Sequence, residues 1–174
     1  MKFEKRQRIQ GTPAEVEAAM LDDRYPEYLL KNHGVLLEVQ LLERTDEGER
    51  VRRRVRYRPK PVIPAVGPKP VPPEWFAFVE SSTYDKKEKE LTFSNVPTTQ
   101  RISKLLMNTG RLRLLDSSTG QTERVLDGEI KLNLPFLLRP LAMIAERLIQ
   151  AEGLKILDGE VPVLNRFIAE VLRK

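Results

Sequence analysis

LLRPLAMIAERLIQAEGLKILDGEVPVLNRFIAEVLRK, residues 137–174, is the stretch on which the fold turns. Apolar residues recur in it at helical spacing: Leu141, Ile144, Ala145 and Leu148, then Val161, Leu164, Phe167, Ile168 and Val171. Glu146, Arg147, Arg166, Glu170 and Arg173 fall between them. A helix of about 30 residues is roughly 45 Å long, longer than one face of a small domain, so it needs a broad partner surface. Nearly everything upstream reads as strand. The expected class is therefore α+β, a curved antiparallel sheet of about seven strands around a long C-terminal helix. Gly153 and Asp158-Gly159 are points where that helix can kink or split. Pro162 is tolerable if a new segment begins near Asp158, because first-turn amides have no intrahelical partner.

With 174 residues the default is one domain over the whole chain, large enough to bury a core without staples. There is no cysteine, which removes a disulfide framework, a thiolate metal site and a thiol nucleophile. The opening MKFEKRQRIQ is charged and lacks the apolar centre of a secretory signal. The most apolar run, Leu132 to Ile149, is interrupted by Pro135, Arg139, Pro140, Glu146 and Arg147, which argues against a spanning helix. The expectation is a soluble, cytoplasmic protein. A net charge of +5 and a pI of about 9.5 permit anionic partners without requiring them.

Taken in order, Lys2 to Gln10 reads as a first strand with Phe3 inward. Thr12-Pro13-Ala14-Glu15 is a helix start: a cap, a proline suited to the first position, and a capping-box glutamate. That helix runs to about Met20. A second opens at Asp22 or Asp23, uses Tyr25, Tyr28, Leu29 and Leu30, and ends at Asn32-His33-Gly34. A meander follows, with strands at 35–44, 50–58, 75–85, 90–95, 104–117 and 122–134. In the last pair Leu112 and Leu114 alternate with Arg111 and Arg113, and Ile130, Leu132 and Leu134 with Glu129, Lys131 and Asn133. Gly128 marks a bulge or bend. In a meander, alternate connections share an end of the sheet. The long ones, at 59–74 and 96–101, collect with His33 and with the turn into the last helix. A rim of long loops is where a scaffold carries a binding site.

This β-α-α-β6-α order resembles the START/Bet v 1-like helix-grip (SRPBCC) superfamily over essentially the whole chain. The resemblance is carried by Thr12-Pro13-Ala14-Glu15-Val16 after an opening strand and by Gly128-Glu129-Ile130-Lys131-Leu132-Asn133-Leu134-Pro135 running into Ile144-Ala145-Glu146. Val163-Leu164-Asn165-Arg166-Phe167 completes it. The nearest likeness is to little-characterised bacterial members reading G-E-x-K-x-x-x-P before a terminal helix. It implies a deep apolar cavity between sheet and helix for lipids, sterols, polyketides or other hydrophobic ligands; some relatives are cyclases or hydrolases. The long proline-rich connection and the 137–153 extension depart from the pattern.

His33 is the only histidine, and no carboxylate or second histidine accompanies it at ligand spacing, so a surface or capping role is expected. No phosphate loop, nucleophile elbow or HExxH is present, and no cofactor or metal is expected. In Arg50–Arg58 the even positions are all Arg, while the odd ones read Val51, Arg53, Val55 and Tyr57. An inward Arg53 must find an internal carboxylate or a ligand headgroup. The outward stripe solubilises a face or attracts anionic lipid or nucleic acid. Nucleic acid is disfavoured, because the one nearby aromatic, Tyr57, lies on the opposite face. PKPVIPAVGPKPVPP (59–73) reads as a stiff loop over a cavity mouth, or an SH3-type ligand. LPFLLRPLAMI (134–144), apolar almost all round, suits a membrane interface, a second subunit or a cover for the cavity.

The sequence thus points to a binder of a hydrophobic or amphipathic, lipid-like molecule. The rim would be Pro59–Phe76, Val96–Arg101 and Leu134–Met143. The expected ligand contacts are Arg53, Tyr57, Trp75, Phe76, Phe78, Leu112, Leu114, Ile130, Leu132, Ile144 and Leu148, with no catalytic residue assigned. The alternatives are a cyclase- or hydrolase-type enzyme in the same cavity, which would need an acid or base near Arg53 and Tyr57, or an adaptor docking on an anionic membrane or a protein. Oligomeric state is left open.

Overall fold

The computed structural model describes residues 1–61, 65–66, 68–70, 72–117, 120–136 and 139–174. Parts of the expected proline-rich loop (62–64, 67 and 71), of the turn at 118–119 and of the run at 137–138 lie outside the described residues. The order is β1 (Lys2–Gln10), α1 (Pro13–Leu21), α2 (Tyr25–Asn32), β2 (Leu36–Asp46), β3 (Arg50–Pro59), β4 (Ala65–Val66) and β5 (Lys69–Pro70). Then come β6 (Phe78–Asp85), β7 (Glu90–Pro97), the single turn α3 (Gln100–Ser103), β8 (Leu106–Asp116), β9 (Gln121–Leu132) and α4 (Arg139–Phe167). Seven strands form one antiparallel sheet in the order β1-β9-β8-β7-β6-β3-β2, while β4 and β5 pair only with each other.

The expected elements appear, with local corrections. Thr12 caps α1 and the capping box is complete: Glu15 N donates to Thr12 Oγ1 (3.3 Å), and Thr12 N to Glu15 Oε2 (2.8 Å). Arg173 Nε also donates to Glu15 Oε1 (2.9 Å), tying α1 to the end of the chain and holding that carboxyl down at about 2. The strand expected from Trp75 begins instead at Phe78, because Pro73–Phe76 winds into a 3₁₀ turn. Proline at its first position has no amide to leave unpaired, and Ala77 N closes the turn on Glu74 O at 3.2 Å.

No bulge interrupts the register at Gly128. It stands directly opposite Gly110. A Cβ on Gly128 would lie 2.7 Å from Thr109 O and 2.8 Å from the Phe3 ring; one on Gly110 would lie 2.6 Å from Asp127 O and 2.7 Å from the Phe93 ring. The two strands approach so closely there that only glycine fits, and Phe3 and Phe93 cover the bare backbone from inside the sheet.

Helix α4 runs unbroken through Gly153, Gly159 and Pro162. An interior proline interrupts the hydrogen-bond ladder, and here two carbonyls of the preceding turn also accept from buried side chains. Ile156 O accepts from His33 Nε2 (2.8 Å), and Leu157 O from Arg124 Nη2 (3.5 Å). Past Phe167 the helix loosens into a π-turn, Ile168–Leu172.

Helix α4 is fastened over the sheet along its length. At its C-terminal end Phe167 meets Tyr25 (5.2 Å, 70°) and Tyr28 (5.1 Å, 71°) edge to face. Around it Val16, Ala19, Val51, Tyr84, Leu114, Val163, Leu164 and Ile168 form a solid core. In the middle, Arg124 on β9 is only 1% exposed. Its guanidinium donates to Gln7 Oε1 on β1 (2.7 and 3.0 Å) and to Glu160 Oε2 on α4 (2.8 Å), while Tyr25 Oη donates to Glu160 Oε1 (3.1 Å). Near the N-terminal end Glu146 accepts from Leu132 N (2.8 Å) and faces the N-terminal ammonium at 3.5 Å.

Two glycines on α4 should respond in opposite ways to alanine. A Cβ on Gly159 would lie 2.8 Å from His33 Nε2, whereas one on Gly153 meets nothing within 4 Å. Gly153→Ala should raise stability by about 0.5–1 kcal/mol through helix propensity. Gly159→Ala should lose about 1–3 kcal/mol to overpacking against the imidazole; thermal melts of both variants check this. For the Arg124 fastening, Glu160→Ala leaves a buried guanidinium short of its counter-charge and should cost about 3–5 kcal/mol. An Arg124→Met/Glu160→Leu double variant should lose far less, measured as urea midpoints at constant m-value.

Candidate functional site: a cavity between sheet and helix

The N-terminal half of α4 stands off the sheet, and a cavity of about 730 Å³ opens beneath it. Its walls are largely apolar: Phe3, Val55, Leu91, Phe93, Leu126 and Ile130 from the sheet, and Leu148, Ile149, Leu154 and Leu157 from α4. Val35 and Trp75, both exposed (42% and 53%), and Leu148 on α4 (45%) line the cavity where it opens to solvent. Gly34, Pro59, Lys60 and Phe76 complete that edge. The mouth therefore sits at the sheet end where the long connections gather, as the strand order required.

Of the expected contacts, Arg53, Tyr57, Trp75, Phe76, Phe78, Leu112, Ile130 and Leu148 lie along the cavity. Tyr57 and Phe78 face each other across β3 and β6 and stack at 5.3 Å. Leu114 belongs to the solid core, Leu132 lines a shallow dent beneath the start of α4, and Ile144 is 59% exposed on the outside of α4. The structure does not bring these three to the cavity.

Arg53 does point inward and is buried, but its hydrogen bond goes to a main-chain oxygen, Nη1 to Met20 O at 2.5 Å. Expected partners were a carboxylate or a ligand headgroup. Glu80 stands close enough for the guanidinium to pull its pKa down. Burial dominates, however, and pushes the Glu80 carboxyl above its ordinary range. Burial likewise raises the phenols of Tyr57 and Tyr25. His33, expected in a surface or capping role, is the C-cap of α2 but is only 5% exposed: it bonds α4 and lines the cavity, and its buried Nδ1 has no hydrogen-bond partner.

Sequence reasoning missed Glu80, Asn95, Asn108, Arg124 and Glu160, all of which line the cavity. A signal for Glu80 was present: it shares the parity of Phe78, Ser82 and Tyr84 on β6. Asn95 and Asn108 share the parity of Leu91 and Phe93 on β7, and of Leu106 and Leu112 on β8. The register sets Glu80 opposite Asn95, and Asn95 opposite Asn108. The Oδ1 atoms of both asparagines are buried and unpartnered, as is Arg53 Nε.

On the outer face of the sheet, each arginine of the β3 stripe meets a carboxylate. Arg50 pairs with Asp85 (3.4 Å), Arg52 with Glu47 (3.4 Å), Arg54 with Glu43 (3.1 Å), Arg56 with Glu38 (3.1 Å), and Arg58 with Glu38 (3.3 Å) and Glu74 (2.6 Å). Most of that stripe is solvated and self-neutralised. Among the described residues no helix is long and apolar enough to cross a membrane.

No protein-family model matches this sequence, and no curated protein is significantly similar to it. Solved structures do match in fold. A protein from Thermus thermophilus is 18% identical, with 98% of this chain and 99% of that one covered at a TM-score of 0.64. The ZhuI aromatase/cyclase from a Streptomyces species is 10% identical, with coverage of 99% and 95% and a TM-score of 0.66. Norcoclaurine synthase from Thalictrum flavum, solved with dopamine and hydroxybenzaldehyde, is 9% identical, with coverage of 98% and 87% and a TM-score of 0.63. A sheet of seven antiparallel strands packed on a long C-terminal helix is the helix-grip fold, and this chain shares it with these structures.

Proposed function

We propose that residues 1–174 act as one unit that binds a hydrophobic or amphipathic, lipid-like small molecule in the cavity between sheet and α4. The observation that carries this is the cavity itself: about 730 Å³, walled by apolar side chains, with buried polar atoms left unpartnered along it. That volume is in the ordinary range of small-molecule sites, roughly 300–1,000 Å³. A core built only for stability would close around such space, since lost packing and unpaired polar atoms both cost free energy. The solved neighbours at 9–10% identity support the fold and carry no reaction across to this chain. If the cavity hosts chemistry, Glu80 is the carboxyl placed to take part.

Native mass spectrometry of freshly purified protein, with solvent extraction, tests the reading. A discrete extra mass released as an apolar molecule is expected. Gly153→Phe supplies the control, because Gly153 lines the cavity and a side chain there starts in open space. That variant should keep its fold and lose the extra mass. A bound mass retained by Gly153→Phe would place the ligand elsewhere.

A second reading rests on the outer face of α4. Met143, Ile144 and Ala151 are exposed there together with Arg139 and Arg147, and among the described residues no acidic one is exposed on that face. Glu146 is turned inward to Leu132 N, and Phe136, 76% exposed, extends the patch beneath Arg139. An apolar strip flanked by cations suits the surface of an anionic bilayer. Co-sedimentation with phosphatidylglycerol-containing vesicles at low salt, lost at high salt and in Ile144→Glu, is the expected result. Equal binding to pure phosphatidylcholine, or none, would remove it.

A further inference from the structure

A ligand's polar end has to be matched to something, and among the described residues a polar row crosses the sheet side of the cavity. Glu80, Asn95 and Asn108 follow one another across β6, β7 and β8 as directly opposed residues, all three lining the cavity. Opposed residues place their Cβ atoms about 5 Å apart, so the row runs roughly 10 Å across the floor, two strand spacings. Apolar residues stop it at both ends: Val55 opposes Glu80, and Ile130 opposes Asn108.

Three features say what this row can hold. Both asparagine Oδ1 atoms are buried without a partner, and a buried acceptor left unmade is costly unless something else satisfies it. Arg124 is already paired, with Glu160 at 2.8 Å. A carboxylate has no proton to give the two amide oxygens, and an ammonium has no lone pair to accept a donor's hydrogen. Arg53 Nε, on the strand next to Glu80, is a donor without a partner. A group that both donates and accepts and carries no charge answers all of these, and a hydroxyl is the simplest. It also suits an amide presented either way round.

We propose that the Glu80–Asn95–Asn108 row is the subsite that selects a neutral, hydroxyl-bearing apolar molecule over a hydrocarbon or ether of the same shape. This rests on the reading that the cavity takes a small molecule, and it narrows the lipid-like class to hydroxylated, uncharged members. Free fatty acids and cationic amphiphiles fall outside it.

Fluorescence titration with pyrene, methoxypyrene and hydroxypyrene tests it on the intact protein stripped of any bound ligand. Hydroxypyrene should bind about ten- to a hundredfold more tightly than either of the others, the range expected when one buried hydrogen bond is made or left unmade. In an Asn95→Leu/Asn108→Leu variant the preference should fall to about onefold while pyrene is held at least as well. That variant should also melt higher than the parent, because two unpaired polar atoms have been replaced by apolar ones of similar size. A lower melting temperature would mean that the asparagines serve the fold, and would overturn the proposal. So would equal affinity for all three probes, or a hydroxyl preference that survives in the variant; both leave the cavity reading standing. If no probe binds, the cavity reading fails and this inference with it.

Discussion

The structure depends on one buried cation. Arg124 projects from β9 into the interior and is held from two sides, by Gln7 on the neighbouring edge strand and by Glu160 on the helix above. A guanidinium in that position cannot be left half-satisfied, so the strand pair and the helix must stay at the separation its hydrogen bonds set. Tyr25 adds α2 to the same knot through Glu160. On the C-terminal side of Arg124 the space between helix and sheet fills with Phe167, Leu164 and the apolar faces of α1 and α2. On the N-terminal side it does not fill, because Glu146 fixes the helix to the end of β9 before it can fall onto the sheet. The cavity is the space between two fastenings.

The sheet contributes curvature where the helix contributes span. The facing pair Gly110 and Gly128 lets β8 and β9 approach too closely for any side chain, and the rings of Phe3 and Phe93 lie over that spot. A flat sheet would press its apolar face against α4 along the whole helix. A bent one touches α4 at the closed end and recedes from it at the open end. The antiparallel order then gathers the long connections at the open end. Mouth, rim and exposed apolar residues coincide for that reason.

Much of this was legible in the sequence because it rests on local rules. The capping box at Thr12, the amphipathic period of residues 137–174 and the alternation in the last hairpin each need only a few neighbouring residues to be read. From the order of elements came the cavity and the end at which it opens. What escaped reading was decided by partners distant in sequence. The inward parity of Glu80 becomes informative only once Asn95 and Asn108 are known to stand beside it, and strand register is a tertiary property. Arg124 sits in a strand where Arg111 and Arg113, on its neighbour, are outer-face residues bonded to Asp127; charge alone does not tell them apart. Gly153 and Asp158-Gly159 read as points where the last helix could split, but the turn between them is tied down through Ile156 O and Leu157 O by His33 and Arg124, residues far away in the chain. His33 itself read as a surface cap because its burial depends on the space Gly159 leaves for it.

Electrostatics separates the two faces of the sheet and sets what each can recognise. A net charge of +5 suggests a cationic protein, yet the arginine stripe on β3 is met by Glu38, Glu43, Glu47, Glu74 and Asp85. Exposed pairs of this kind contribute little to stability, but they weaken the field that the stripe itself projects. Inside, Arg124 is neutralised by Glu160, and the unpartnered polar atoms on the described cavity residues are the two asparagine oxygens, Arg53 Nε and His33 Nδ1. Such a site discriminates through hydrogen bonds that a ligand either makes or leaves unmade. Its selectivity should therefore respond little to salt, whereas any attraction at the outer face of α4 is screened by it. Salt dependence thus distinguishes what the cavity holds from what the helix surface touches.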